Sequence, residues 1–535
     1  MSVKKPHFHP LISGFIAHPD GNGGTVLHKY QANPAVLAFC ECVADQLHRH
    51  LKIVRKQPIR DNLTLKQRES IEVIRDNMEL VLTEADKGKG WVAMQANEYE
   101  EMGLRMLRLS HIECEEGERD ILNMIQQKLA DVLADNDELL QRWKLSSADL
   151  WREKYFSASL HRNPQTQQAF RLSNYRELPK LSKPDSRGIT GAHVAPTQPY
   201  ALYFDIALTP VVQTLPHFLK DCDELTRQLT DIKVEPTDVF ATADVVRLYP
   251  SINIEKCVEF LCQFLQERIT AGDPTVDMDC DSLKLFHDMI EVILNGSYCR
   301  FASRTFKAVK GFPTGLACGR TCAEIYLHVI ERDLWARFRG SMTFAKRYID
   351  DFNGFFRDES TARAFIAEYG NLSDDVQITA DVSSDSFVML DTRASKGEQW
   401  RATGSLDLAL YQKPDSAFLY IPMFSDHPEH VLQAFIHGEC IRIVKRNSCE
   451  VLFGQHRELF RYRLLARGYS QKFIGTAFAT VRYSDRYKFL FERHDAAQRK
   501  SPMALTAENK TPALIALSLQ HSQRANALGI ARAIF

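Results

Sequence analysis

Two short β-prone segments that carry acidic residues constrain the fold of this chain more than any other feature of its sequence. The first, residues 239–245, is largely apolar and contains Asp244, and the second, residues 344–356, places aromatic runs on either side of Asp350 and Asp351. This composition predicts a core strand and a hairpin with acids at its tip. A lone acidic pair in a turn is usually just solvated. Acids inside apolar strands are costly to bury unless they are paired or bound to metal.

Carboxylates from two neighbouring strands can hold two Mg²⁺ ions, with Mn²⁺ as a possible substitute. One ion would activate an attacking 3′-hydroxyl, and the other would hold a triphosphate and the leaving pyrophosphate. Asp244, Asp350 and Asp351 are therefore the candidate catalytic and metal-binding residues.

A glycine-rich turn lies between the two acidic segments in the sequence. Residues 311–315 read Gly-Phe-Pro-Thr-Gly and open a predicted helix that runs to about Phe338. The small residues at its start would let a backbone pass close beneath a base pair or template strand. Tight helix packing in the core is the alternative interpretation. The order of strand acid, glycine turn and acidic hairpin is more specific than any of its parts.

These segments resemble motifs A, B and C of reverse transcriptases: ADVVRLYPSI (243–252), KGFPTGLACGRTCAEIYL (310–327) and RYIDDF (347–352). The flanking stretches ADKGKGWVAM (85–94), ELPKLSKPDSRGITG (177–191) and LALYQKPDSAFLYIPMFSDHPEH (408–430) resemble Penelope-like retroelement polymerases, relatives of telomerase. The resemblance covers about residues 70–480. It implies a template-directed polymerase that uses an RNA template, a DNA primer and deoxynucleoside triphosphates.

The resemblance implies an α+β fold: a right-hand polymerase with fingers, an antiparallel-sheet palm and a helical thumb. The predicted divisions are an N-terminal segment (1–65), a helical N-terminal region with fingers (66–235), the palm (236–400), the thumb (401–485) and a tail (486–535). Between about 66 and 170 the pattern is mostly helical, and the breakers at 178–188 indicate a loop or hairpin.

The resemblance assigns roles to residues around the acids. Asp351 matches the less essential member of the metal-binding triad, and Tyr249 matches the steric gate that presses against a ribose 2′-hydroxyl and favours deoxynucleotides. Without the motif, Tyr249 would equally be a core aromatic. The remaining substrate-binding candidates are basic or lie at the glycine turn: Arg187, Lys183, Lys87, Thr314 and Gly315. For Lys87, a surface pair with Asp86 explains the sequence almost as well as a phosphate contact.

The segment from 441 to 469 supplies positive charge to a chain whose formal net charge is −1. It carries seven Arg or Lys against two Glu. A solvated helix face is the usual explanation of such a run, but beside a polymerase palm a grip on the phosphate backbone is expected, with steep salt dependence. The nucleic-acid-binding candidates are Arg442, Lys445, Arg446, Arg461, Arg463 and Arg467.

The sequence departs from the family pattern at several points. Residues 187–189 read Arg-Gly-Ile in place of Arg-Pro-Ile, Thr314 stands where many reverse transcriptases have Gln, and Ala308 also stands where Gln is expected. Between Asp351 and Asp391 there is no Lys that could act as general acid to the pyrophosphate. Each departure concerns the rate of the reaction, and none removes the predicted metal site.

No GIY…YIG endonuclease motif follows the thumb and no RNase H constellation is evident, so an endonuclease-lacking or truncated relative that primes on an existing 3′ end is expected.

The twelve Cys lack paired CxxC knuckles, which argues against zinc. No apolar run reaches a membrane span and no signal peptide is evident, so an intracellular, nuclear protein is expected. Protein partners are not indicated. Two alternatives remain open: a domesticated palm enzyme doing untemplated or protein-primed nucleotide addition, and a catalytically dead nucleic-acid-binding relative.

Overall fold

The computed structural model describes residues 15–19, 25–29, 64–86, 90–146, 149–156, 160, 162, 169–180, 186–414, 416, 418–425 and 427–492. The helices are α1 (Leu65–Asp76), α2 (Ala96–Leu107), α3 (Glu118–Asp135), α4 (Asp137–Leu145), α5 (Leu150–Phe156), α6 (Gln198–Val212), α7 (Cys222–Asp231), α8 (Leu248–Ser251), α9 (Ile254–Thr270), α10 (Cys280–Asn295), α11 (Gly319–Phe338), α12 (Glu359–Gly370), α13 (Glu398–Thr403), α14 (Glu429–Arg446), α15 (Glu450–Ala466) and α16 (Gln471–Phe478). Short 3₁₀ turns lie at Ala192–Val194, Arg339–Ser341 and Tyr483–Asp485, and a π-helical turn at Lys488–Glu492.

The strands are β1 (Phe15–Pro19), β2 (Thr25–Lys29), β3 (Leu80–Glu84), β4 (Trp91–Gln95), β5 (His111–Cys114), β6 (Ser173–Pro179), β7 (Ser186–Thr190), β8 (Val239–Val245), β9 (Tyr298–Phe301), β10 (Arg304–Ala308), β11 (Met342–Tyr348), β12 (Asp351–Phe356), β13 (Ile378–Ser383), β14 (Ser386–Met389), β15 (Thr392–Ser395) and β16 (Asp407–Leu410). They form sheets in the orders β1-β2, β3-β4, β5-β10-β9-β6-β7, β11-β12-β8-β13 and β14-β15-β16.

The four-stranded sheet β11-β12-β8-β13 carries the predicted acidic segments and is antiparallel throughout. Side chains alternate between its two faces, as the period of a strand requires. One face packs Phe352 and Phe356 with Phe365 of α12 and Leu334 of α11. The predicted antiparallel palm sheet and the hairpin between β11 and β12 are confirmed, and the prediction of an α+β fold is confirmed with them.

The opposite face of this sheet contributes to a second core. Phe240 and Phe355 pack there with Phe387 of β14 and Leu408 of β16. Strand β16 pairs with β15 across residue 400, where the sequence placed a boundary between palm and thumb. The helices α14, α15 and α16 follow, so the predicted helical character of the thumb region is confirmed.

The region from 66 to 170 contains strands that the sequence did not predict. Strands β3 and β4 form a hairpin, and β5 pairs with β10, so that His111 lies opposite Ala308. The helices α2 and α3 are present as expected. At the breakers, where a loop or hairpin was predicted, β6 and β7 pair antiparallel. The described part of this region is mostly helical, as expected, but β3, β4 and β5 were not predicted. Strand β5 pairs with a partner distant in sequence.

The chain divides into two compact units. Among the described residues, β1 and β2, residues 64–73 and residues 424–433 belong to one unit, and the candidate site lies wholly in the other. In the first unit β1 and β2 form an antiparallel hairpin in which Phe15 lies opposite Lys29. Within the described residues, no helix is both long and apolar enough to cross a membrane.

Candidate active site

The palm sheet brings the three predicted acids to one end. Asp244 near the end of β8 lies directly opposite Asp351 at the start of β12. The turn that carries Asp350 is attached to the same strand, because the backbone N–H of Val245 donates to the carbonyl oxygen of Asp350 at 3.0 Å. The sequence order therefore becomes a spatial cluster through strand pairing.

The electrostatics of this cluster disfavour three negative charges. Burial, together with the neighbouring carboxylates of Asp244 and Asp350, raises the pKa of Asp351 to about 7. A hydrogen bond from the backbone of Leu390 and the positive charge of Lys413 act in the opposite direction but do not cancel it. A divalent cation at this end of the sheet would relieve the repulsion.

The donor set suits magnesium, since carboxylate oxygens are the ligands that this ion prefers. As they stand, no three or more His, Cys, Asp or Glu side chains among the described residues are placed to hold a metal ion. Metal binding by Asp244, Asp350 and Asp351 therefore stays a prediction, supported by the raised pKa of Asp351.

The turn between β11 and β12 has an unusual backbone. Ile349 has a φ of 59°, in the left-handed region. For a β-branched residue this conformation is an outlier that costs on the order of 1–3 kcal/mol and persists only where the surroundings enforce it. Such outliers concentrate at functional sites, and this one directly precedes Asp350.

A cleft of about 570 Å³ opens beside the acids. Asp244 and Asp350 line it together with Tyr249, Arg187 and Thr314, which the sequence singled out. This volume lies within the range of pockets that bind small ligands, roughly 300–1,000 Å³. The structure thus brings two of the three predicted acids, the predicted steric gate and one predicted cation into one concavity.

Tyr249 is fixed by the glycine turn. Its ring lies edge-on to Phe312 with the centroids 5.8 Å apart. Gly311 has a φ of 66°, and a Cβ there would lie 2.1 Å from the carbonyl oxygen of Tyr249. Glycine is therefore required at this contact. Burial raises the pKa of Tyr249 to about 12, with Asp350 adding to the shift, so the phenol stays protonated.

Thr314 and Gly315 join the glycine turn to strand β7. The hydroxyl oxygen of Thr314 accepts from the backbone N–H of Thr190 at 3.2 Å, and the N–H of Gly315 donates to the carbonyl oxygen of Thr190 at 3.0 Å. A Cβ on Gly315 would lie 2.7 Å from that oxygen. The small residue is thus explained by a backbone contact, and the predicted position of both residues beneath a base stays a prediction.

Arg187 on β7 projects toward the cleft and remains half exposed. Its Nε lies 3.3 Å from Oδ1 of Asp86, whose side chain is buried. Asp86 thus pairs with Arg187. The sequence had suggested a surface pair between Asp86 and Lys87. Lys87 and Lys183 lie outside the described residues, so their predicted roles stay predictions.

Three cleft-lining cations were missed in the sequence: Lys180, Arg247 and Lys413. No Lys lies between Asp351 and Asp391, but Lys413, which follows β16, lines the cleft. Its place in the LYQKPD stretch, already noted for its family resemblance, was the available signal. Arg247 follows Asp244 and has a φ of 53°, a second left-handed residue beside the acids.

Three of the predicted phosphate-binding residues belong to an ion-pair cluster between α7, α14 and the loop after β14. Arg446 places Nη2 2.6 Å from Oδ1 of Asp223 and Nε 2.9 Å from Oδ1 of Asp391. Arg442 also contacts Asp391, and Lys445 contacts Asp223. The side chain of Arg446 is only 7% exposed. Its own carboxylate partners enclose it, so the structure assigns it an ion-pairing role, and its predicted contact with phosphate stays a prediction.

The other thumb cations have different partners. Arg461 pairs with Glu458 on the surface of α15. Arg463 lies over the ring of Phe418, 3.4 Å from the centroid, and Nε of Arg467 donates to the carbonyl oxygen of Tyr420 at 2.8 Å. Contacts of Arg442, Lys445, Arg461, Arg463 and Arg467 with phosphates stay predictions.

No family model and no curated protein matches this chain. Among solved structures, telomerase from Candida albicans in complex with a TWJ fragment of telomeric RNA is similar at 8% identity and a TM-score of 0.48, covering 78% of this chain and 69% of that one. Apo telomerase from Candida tropicalis is similar at 11% identity and a TM-score of 0.42, covering 86% and 78%. The BmCPV RNA-dependent RNA polymerase at its elongation state is similar at 11% identity and a TM-score of 0.37. The match covers 65% of this chain and 30% of that one. At this distance neither a family nor an activity follows.

Proposed function

We propose that this protein is an RNA-directed DNA polymerase, a reverse transcriptase of the Penelope-like type that extends a 3′-OH primer. One observation carries the proposal: Asp244, Asp350 and Asp351 meet at the end of an antiparallel sheet, with Asp244 and Asp350 lining a cleft that also contains Tyr249. Strand pairing thus assembles the acids that the resemblance to motifs A and C assigned to metal binding.

Asp244, Asp350 and Asp351 would hold the two Mg²⁺ ions. When bound, these ions supply activation of the primer hydroxyl and stabilisation of the charge on the triphosphate. Two of the chain's own cations line the cleft: Arg187 offers a planar guanidinium suited to phosphate oxygens, and Lys413 acts electrostatically on Asp351. In the proposed reaction, Lys413 would offset the charge of the departing pyrophosphate.

The choice of a DNA product rests on Tyr249. Its ring packs edge-on against Phe312, and its backbone lies against Gly311. We expect Tyr249→Ala to incorporate ribonucleotides roughly 10- to 100-fold better relative to deoxynucleotides, because a steric clash of a few kcal/mol is removed. Tyr249→Phe is the matched control and should keep the discrimination. Unchanged sugar preference in Tyr249→Ala would show that this ring is not the gate.

The proposed activity is tested by primer extension with purified full-length protein and Mg²⁺. RNA and DNA templates of the same sequence are each annealed to a DNA primer and supplied with either dNTPs or NTPs. Copying of the RNA template with dNTPs supports the proposal. Addition that ignores the template would instead support untemplated nucleotide addition, and binding without extension on several primers would support a catalytically dead relative.

A further inference from the structure

A buried arginine lies directly beneath the acidic turn. The side chain of Arg347, at the end of β11, is completely buried. Its Nη1 lies 2.8 Å from Oε2 of Glu324, and its Nε lies 3.1 Å from Oε2 of Glu331. Both glutamates come from α11, and their side chains are also enclosed. Burying these charges is justified only if each hydrogen bond is made.

The same ion pair holds both polar groups of the strained residue Ile349. Nη1 of Arg347 donates to the carbonyl oxygen of Ile349 at 2.6 Å. Oε1 of Glu324 accepts from the backbone N–H of Ile349 at 3.3 Å. Because the peptide groups before and after Ile349 are both held, the residue cannot readily return to an unstrained conformation. The next residue in the chain is Asp350.

A second layer fixes the orientation of the arginine. His217 accepts from Nη2 of Arg347 through Nε2 at 2.8 Å, and burial lowers the pKa of His217 well below its usual value, so the ring is neutral. The hydroxyl of Tyr369 donates to Oε1 of Glu331 at 2.6 Å. The guanidinium therefore has its partners on every side and a single orientation.

We propose that the Arg347–Glu324 pair is a positioning device that holds Ile349 in its left-handed conformation and thereby places Asp350 and Asp351 for metal binding. The inference rests on the proposed function, since it concerns the same acids. Groups that orient metal ligands from outside the coordination shell typically change metal affinity by 10- to 100-fold when removed. The network supplies such a group through the backbone of the turn.

Another enclosed arginine provides a matched control. The side chain of Arg152 is 7% exposed, pairs with Asp149 and Asp277, and lies against the rings of Trp143 and Trp151. These partners belong to the helical region before the palm and to the loop before α10. Arg152→Met should therefore lower the thermal stability without changing metal binding.

The test uses two variants of the network, each with and without Ile349→Gly. Glu324→Gln is the conservative variant. The triple variant Arg347→Met, Glu324→Gln and Glu331→Gln removes all three charges together, so that none is left buried without a counter-charge. The measurements are the melting temperature, Mn²⁺ binding followed by electron paramagnetic resonance without nucleotide, and kcat with the apparent Mg²⁺ constant in primer extension.

We expect the triple variant to bind Mn²⁺ at least about tenfold more weakly and to lose roughly 100-fold in kcat. Ile349→Gly should recover a large part of both losses, because glycine adopts a positive φ without strain. A folded triple variant with unchanged Mn²⁺ binding would overturn the inference. Losses that glycine does not reduce, or unfolding of both network variants, would equally assign the network a purely structural role.

The outcomes separate this inference from the proposed function. If the wild-type protein extends no primer, the proposed polymerase activity fails. Weaker Mn²⁺ binding in the triple variant, restored by Ile349→Gly, would then still support the positioning role. Conversely, normal extension by a folded triple variant would reject the positioning role and leave the polymerase intact.

Discussion

Two clusters of aspartates in this chain have opposite electrostatic character. At the end of the palm sheet, burial and the carboxylates of Asp244 and Asp350 raise the pKa of Asp351 to about 7. Burial alone would also raise the pKa of Asp391. The charge of Arg446, a hydrogen bond from the Cys222 thiol and the Arg442 guanidinium outweigh it, so that the pKa lies below its usual value. Both aspartates are partly buried, and their pKa values shift in opposite directions because the neighbouring charges have opposite signs.

This contrast indicates how to distinguish a ligand site from a structural contact. Where carboxylates face cations of the same chain, as around Asp223 and Asp391, folding itself supplies the compensation. Where neighbouring carboxylates raise the pKa of Asp351, compensation from a bound cation would stabilise the arrangement. The acid cluster is therefore the candidate for metal chemistry, and the Asp391 cluster joins the first thumb helix to the palm.

The largest expected effect is loss of synthesis on removing one palm acid. Asp244→Asn should reduce extension by roughly 1,000-fold, because several kcal/mol of metal-dependent stabilisation is lost at about 1.4 kcal/mol per factor of ten. The melting temperature should not fall, since a repulsive charge is removed. Asp381→Asn, an exposed acid on the neighbouring strand β13, is the control and should extend normally. Near-normal extension by Asp244→Asn would remove the acid cluster from catalysis.

The pH dependence of stability gives the next effect. The pKa of Asp351 is raised from 3.8 to about 7, so between these values the folded protein holds a proton that the unfolded chain has released. The free energy of unfolding should therefore fall as the pH rises through this window, by at most about 4 kcal/mol. Asp351→Asn should lack this part of the slope in denaturant titrations without metal. Parallel curves for the two proteins would show that the acids do not repel one another.

Breaking the compensated cluster should affect stability more than chemistry. Arg446→Met leaves Asp223 and Asp391 without one cation, and should cost about 2–3 kcal/mol of unfolding free energy. This is less than the 3–5 kcal/mol typical of buried pairs, because the two carboxylates are 30% and 25% exposed. Denaturant unfolding measures the loss. The salt dependence of template–primer binding should stay unchanged. A shallower salt dependence in Arg446→Met would show that Arg446 contacts a phosphate.

The smallest effect is expected at the surface of the thumb region. Arg461 pairs with Glu458 on α15, an arrangement that contributes little to folding. If Arg461 contacts a phosphate, Arg461→Met should lower the slope of log affinity against log salt by about 1 and leave the melting temperature nearly unchanged. Glu458→Gln is the opposite control and should tighten binding. An unaltered slope would show that Arg461 contacts no phosphate and only pairs with Glu458.

Local sequence predicted the elements of the palm because their side chains satisfy local rules. Strand β8 coincides with the predicted 239–245 segment, since β-prone apolar residues fill a buried strand. Helix α11 ends at Phe338 as expected. Strand β5 was missed because it is short and its pairing partner β10 lies almost 200 residues further along the chain. Such pairing is determined by tertiary structure and leaves no local pattern.

The candidate site was predicted in the same uneven way. The acids were identifiable because a charged residue in an apolar strand is costly to bury without a partner or a metal. The pairing of Arg446 was not, because a count of basic residues does not show which carboxylates fold against them. Arg347 offered the same signal as the acids, a charge in an aromatic strand, but its partners come from α11 and from the loop before α7. Its role needed the three-dimensional structure.

The central claim is that the palm acids form a divalent metal site, and calorimetry tests it most directly. Mg²⁺ is titrated into the full-length protein with template–primer and a nonhydrolysable deoxynucleoside triphosphate, and the titration is repeated with Asp350→Ala. The account predicts Mg²⁺ binding by the wild-type protein that is lost in Asp350→Ala, while both proteins melt at similar temperatures. Equal Mg²⁺ binding by the two folded proteins would contradict it.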